Sequence, residues 1–149
     1  MTIQHSRTAT APCLLLLALG CLATATALAD GPSFDCRKVE PGSIEEMVCL
    51  DEQLSALDRE LSSVYAEARA KAADEHPPVL EAEQRGWIKG RNDCWKSEGK
   101  RKCVEENYRR RIAELQARYR LVPAKGPTTY ACNGDPRNEV VVSFFQTDP

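Results

Sequence analysis

The stretch Met47–Ala68, MVCLDEQLSALDRELSSVYAEA, decides the fold class of this 149-residue chain. Its apolar residues Met47, Leu50, Leu54, Leu57, Leu61, Val64 and Ala68 recur in steps of three and four, the period of one helical stripe. Asp51, Glu52, Asp58, Arg59, Glu60 and Glu67 fill the other positions, so the helix has one face to bury. Just upstream, Ser43-Ile44-Glu45-Glu46 has the pattern of a capping box, and its early acids suit the helix dipole. Downstream, His76-Pro77-Pro78 cannot continue a helix. The stretch therefore reads as one long helix from about Ile44 to about Glu75.

Two shorter stripes follow. Leu80, Gln84, Trp87, Ile88, Arg91 and Cys94 or Trp95 share a broad face of a helix that starts at Pro78 or Val79. Gly86 and Gly90 on it each cost up to about 1 kcal/mol against alanine, so either another backbone approaches closely or the helix is locally weak. Lys96–Lys102, KSEGKRK, is a polar turn, and Val104, Tyr108, Ile112, Leu115, Tyr119 and Val122 mark a third helix that Pro123 ends. The expected fold is all-α: a small disulfide-stabilised bundle of about three helices, a long antiparallel hairpin with the third helix alongside. Trp87 and Trp95 are expected as core or near-core anchors. Asp30–Pro41 reads as an irregular arm laid on the domain, with Phe34 as its apolar anchor.

After the 123–127 linker, PAKGP, the pattern changes. Thr128–Cys132 and Glu139–Phe145 read as strands of a short hairpin-like tail. A lone hairpin is marginal in water, so it either docks on the helices or opens a β domain.

The first 29 residues have the layout of a secretory signal peptide: Arg7 with no acid, the apolar core Leu14–Leu19, and Ala27-Leu28-Ala29 as the cleavage site. The rival reading is cleavage before Cys21 with lipid attached there, because Ala18-Leu19-Gly20-Cys21 resembles a bacterial lipobox. The expected location is periplasmic or secreted, with a membrane attachment only if Cys21 is lipidated. Without the leader the chain carries 19 basic and 22 acidic residues. Asp30–Glu60 is rich in acids and Arg85–Arg120 in bases, which most simply attract each other within one small domain; no nucleic-acid role is expected.

Five cysteines remain after cleavage: Cys36, Cys49, Cys94, Cys103 and Cys132. In an oxidising compartment the first four are expected to form disulfides that compensate for a small core. Cys36 with Cys49 and Cys94 with Cys103 each span a plausible local turn; the crossed pairing Cys36 to Cys94 and Cys49 to Cys103 is the main rival. No spacing is Cys-x-x-Cys and the mature chain has only His76, so neither metal nor cofactor is expected. With no glycine-rich phosphate loop and no serine or cysteine beside an evident base, the chain does not read as an enzyme.

Ser33-Phe34-Asp35-Cys36, Cys49-Leu50-Asp51, and Leu54 to Leu57 with Asp58 resemble the LprI-type lysozyme inhibitor N-terminal domain. Gln84-Arg85 with Trp87, Arg91 with Cys94, and Cys103 with Tyr108 and Arg111 extend the likeness over roughly Phe34–Arg120. The resemblance implies a disulfide-bonded helical domain of the bacterial envelope, in some members an inhibitor of lysozyme. Tyr130-Ala131-Cys132 and the Val140–Phe145 strand are similar to the opening of MliC-type inhibitors of c-type lysozyme, without the serine and lysine loops by which those proteins enter the lysozyme cleft.

The likeness points to c-type lysozyme as partner. Such lysozymes are basic and cut glycan with carboxylates in a cleft, so an acidic patch would speed encounter. Asp51, Glu52, Asp58 and Glu60, read as the exposed side of the first helix, are the candidate patch. The alternative is a non-catalytic adaptor module of the envelope that touches anionic glycan or lipid through Lys100-Arg101-Lys102 and Arg109-Arg110-Arg111.

Overall fold

The computed structural model describes residues 31–147; the signal peptide and lipobox readings therefore lie outside the described residues. The arm enters through a short 3-10 turn, Cys36–Lys38, capped by the Asp35 carboxylate. Gly42, at φ +77°, then takes a backbone conformation that favours glycine. Ser43 Oγ accepts from Glu46 N at 3.0 Å and Glu46 Oε2 accepts from Gly42 N at 2.6 Å. The capping box thus forms, its carboxylate reaching one residue further back than the usual pattern.

The long helix expected from Ile44 to Glu75 is two helices, α1 (Ile44–Leu50) and α2 (Glu52–Lys71). Asp51 is extended between them, and its Oδ1 accepts from Gln53 N and Leu54 N, both at 3.0 Å. A short carboxylate that satisfies the next helix's free N–H groups competes directly with helix continuation. Ser55 Oγ donates to Val48 O at 2.7 Å and ties the two helices across the break. The break also turns Leu50 out of the expected stripe, leaving it 81% exposed. From Leu54 onward the stripe holds, with Leu54, Leu57, Leu61, Val64 and Ala68 buried.

Helix α3 (Val79–Asn92) follows the prolines and passes into a 3-10 turn, Asp93–Lys96. A Cβ on Gly86 or Gly90 would meet nothing within 4 Å, so no other backbone approaches them closely. Helix α4 (Lys100–Arg118) buries Val104, Tyr108, Ile112 and Leu115. Among the described residues the fold is therefore a four-helix assembly rather than three helices, because Asp51 divides the first.

Side-chain pairs give the directions. The start of α4 meets the start of α2 through Arg101 to Asp51, and its middle meets the middle of α2 through Tyr108 to Asp58, so these helices run parallel. Helix α3 runs back between their ends, with Trp87 donating to Asn107 O and Arg118 donating to Glu83. Disulfides Cys36–Cys49 and Cys94–Cys103, with Cα separations of 5.9 and 5.7 Å, hold the arm to α1 and the 3-10 turn after α3 to the start of α4. Trp87 packs against the core, whereas Trp95, expected there too, is 60% exposed.

Strands β1 (Ala124–Ala131) and β2 (Glu139–Phe145) form an antiparallel hairpin, with Thr128 opposite Val142 and Tyr130 opposite Val140. β1 begins at Ala124, inside the stretch read as a linker. All of β1 is exposed, and Val140, Val141 and Phe144 of β2 face solvent.

Candidate functional site

Several polar residues occupy positions where the helical stripes would place apolar ones. Asp58 lies four residues after Leu54 and three before Leu61, and it is buried. Tyr108 Oη donates to Asp58 Oδ1 at 2.8 Å, while Ser33 donates to Asp58 Oδ2 from its backbone N (2.7 Å) and its Oγ (2.6 Å). Arg91 Nη1 donates to Tyr108 Oη at 2.7 Å, and Arg91 Nη2 donates to Glu45 Oε1 at 2.6 Å. Asn92 Nδ2 adds a second bond to Glu45 Oε1 at 2.7 Å. The guanidinium also stands 5.6 Å from the centroids of the Trp87 and Tyr108 rings, which meet edge to face. Burial pushes the Tyr108 hydroxyl well above its ordinary range; Arg91 pulls it down, and the neighbouring Asp58 charge raises it further. The phenol therefore stays protonated and bridges a carboxylate to a guanidinium. This network joins the arm and all four helices.

Above it lies a cleft of about 840 Å³ between the arm, α2 and α3. Phe34, Val39, Leu61, Tyr65, Trp87 and Ile88 supply its apolar lining. Glu45, Asp58 and Arg91 belong to both the network and the cleft, and Ser62 and Gln84 add neutral polar groups. The volume is that of sites which hold a small molecule or a few side chains of a partner. Among the described residues no cluster of His, Cys, Asp and Glu could hold a metal ion, and no helix is long and apolar enough to cross a membrane.

The four acids read as one exposed patch are not equivalent. Asp58 is a buried hub, not an exposed residue, because Tyr108 and Ser33 satisfy it inside the fold. Asp51 caps α2 and accepts from Arg101 Nε at 2.7 Å. Burial raises its pKa, but the N–H of Leu54 and the Arg101 guanidinium outweigh that and hold the carboxyl below its usual range. Glu52 is exposed and Glu60 half-buried.

The basic runs are also mostly engaged. Arg101 reaches Asp51 and Glu105, Lys102 reaches Glu106, and Arg109 reaches Glu105. Arg111 is buried and donates to Gln84 and Glu114. One of the six, Arg101, pairs with an acid of the α1–α2 region; the others that pair do so within α4 or with α3. Sequence reasoning passed over Glu45, Arg91 and Tyr108 as a set. The available signal was spacing: Arg91 follows Trp87 by four, and Arg111 precedes Leu115 by four, so both charges sit in core register.

The family described as lysozyme inhibitor LprI matches residues 36–115, from the first disulfide cysteine to the last buried leucine of α4. The chain belongs to the LprI family. It is similar to the proteins named lipoprotein LprI of Mycobacterium tuberculosis and of Mycobacterium bovis, at 34% identity over 128 residues in each case. The aligned region covers 85% of this chain and 62% of the relative, so the chain spans less than two thirds of the relatives' length. No solved structure matches it. The region matched by the LprI family contains both disulfides, α1 to α3 and α4 as far as Leu115, and leaves out the hairpin and the first residues of the arm.

Proposed function

We propose that this protein is an exported, non-catalytic member of the bacterial envelope that inhibits a lysozyme of the c type by binding it. The observation that carries the reading is the match of residues 36–115 to the lysozyme inhibitor LprI family, coincident with the disulfide-held helical unit. A cross-linked body suits inhibition physically, because a surface fixed before encounter loses less entropy on binding than a mobile one. Basic lysozymes would be drawn by exposed acids, of which Glu52 is the exposed member of the candidate patch. Residues 30–122 are read as the unit that binds and 128–149 as an added MliC-like β segment.

The test is clearance of a cell-wall suspension by c-type lysozyme with excess mature protein present. Slowed clearance is expected, and an unchanged rate would sink the proposal. Export is read from the Arg7 to Ala29 leader. The relatives' name, lipoprotein, favours weighing lipid attachment at Cys21 beside cleavage after Ala29. Mass spectrometry of the exported protein separates them: an N-terminus at Asp30 supports secretion, and a lipidated Cys21 supports anchoring. The adaptor alternative retains Lys100 and Arg110 as cations of its two basic runs with no ion pair among the described residues, a narrow basis for binding anionic glycan or lipid.

A further inference from the structure

The cleft between the arm, α2 and α3 combines an apolar lining with an uneven charge balance. Its lining carries four carboxylates, Asp35, Glu40, Glu45 and Asp58, against two cations, Lys38 and Arg91. Glu45 is matched by Arg91 at 2.6 Å, and Asp35 by Lys38 at 3.9 Å with Arg37 beside it. Glu40 is left at the surface of the lining. The three bonds to Asp58 come from Ser33 and from Tyr108, which itself accepts from Arg91, so this buried carboxylate is engaged inside the fold. Glu40 is exposed and makes no ion pair among the described residues. Negative charge with apolar walls is complementary to a cationic side chain flanked by apolar ones, and to that combination more than to an anion or a purely apolar segment.

We propose that this cleft is the docking surface for a basic protein, taking an exposed lysine or arginine of the partner beside an apolar side chain seated on Ile88 and Phe34. The proposal rests on the reading of the chain as a lysozyme inhibitor and moves the contact surface from the outer face of α2 to the opening beneath the arm. Ile88 is 40% exposed although it lies on the lining, as an unoccupied apolar anchor point would be. The arm that forms one wall is fixed by Cys36–Cys49, by the Ser33 bonds to Asp58 and by Arg59 donating to Gly31 O at 3.0 Å, so the wall is in place before a partner arrives. Steering by Glu40 would weaken with salt.

The test is a titration of the isotope-labelled mature protein with unlabelled c-type lysozyme, followed by amide chemical shifts. Shifts centred on Phe34, Glu40, Ser62, Trp87 and Ile88 support the proposal. Shifts confined to the outer face around Glu52 and Ala56 overturn it while leaving lysozyme inhibition standing, and no shifts at all overturn both. Two exposed variants give the second readout. Ile88→Glu and Glu40→Lys, with helical circular dichroism unchanged, are each expected to weaken lysozyme binding about tenfold, and Glu52→Lys less than about threefold. Equal affinity for wild type and both cleft variants would overturn the proposal.

Discussion

The helical unit and the β-hairpin are built from similar proportions of apolar residues and put them to opposite use. In the helices, Tyr108, Leu54, Ile112 and Val104 are fully buried, and the polar groups beside them are joined in one network. In the hairpin, Tyr130, Val140, Val141 and Phe144 remain about half exposed, held by the strand pairing and its turn. The difference teaches where specificity resides. A stripe of period three and four finds a partner stripe within the chain, whereas a two-stranded sheet always has two faces and can cover neither by itself.

The contrast can be broken most sharply at its two tyrosines. Tyr108→Ala removes a fully buried ring and leaves Asp58 and Arg91 without their bridge. It should cost about 4 kcal/mol or prevent folding, read by urea unfolding. Tyr130→Ala, in the hairpin, should stay within about 0.5 kcal/mol. Next in size is the clamp between α3 and α4. Replacing Cys94 and Cys103 together by serine should lower stability by about 2–3 kcal/mol. Cys132→Ser, which touches no disulfide, should leave the unfolding curve where it was. Comparable losses for the helical and hairpin changes would mean that the two regions share a core.

Smaller effects sharpen the account of the network. Tyr108→Phe keeps the ring and deletes the hydroxyl, at a cost of about 1–3 kcal/mol. Its pH profile is more telling. The folded-state pKa of Tyr108 is raised above the ordinary value of 10.0, so its contribution is complete below that pH and declines as pH rises beyond it. The variant should lose this alkaline limb of the stability profile. Asp51 has the opposite sign. Its folded-state pKa lies below the ordinary 3.8, so its contribution is present above that value and is lost as pH falls through the lowered one. Asp51→Asn keeps a capping oxygen and should flatten the acid limb, measured by thermal unfolding between about pH 5 and 2. An unchanged acid limb would show that the Asp51 charge, toward the Leu54 N–H and the Arg101 guanidinium alike, adds nothing in solution.

The residues most legible from sequence were those that obey one rule at a time. Leu57, Leu61 and Val64 fall on a stripe, and Pro77, Pro78 and Pro123 stop helices where expected within a few residues. Leu50 and Asp51 obey two rules. Leu50 fits the helical phase, yet Asp51 can either continue the helix or cap the next one, and tertiary packing chooses the cap. Asp58 reads as a charge of the outer face, although its distance from Leu54 and Leu61 places it on the inner one. The cleft was not legible, because its walls come from segments as far apart as Phe34, Tyr65 and Ile88 and exist only once the arm is laid down.

The central claim is that the disulfide-held helical unit, without the hairpin, binds and inhibits lysozyme. The direct measurement compares inhibition of c-type lysozyme by residues 30–122 with that by residues 30–149, both oxidised and both checked for helical circular dichroism. The account predicts equal inhibition per mole. Inhibition by the longer protein alone, with the shorter one fully helical, would contradict it and place the activity in the hairpin.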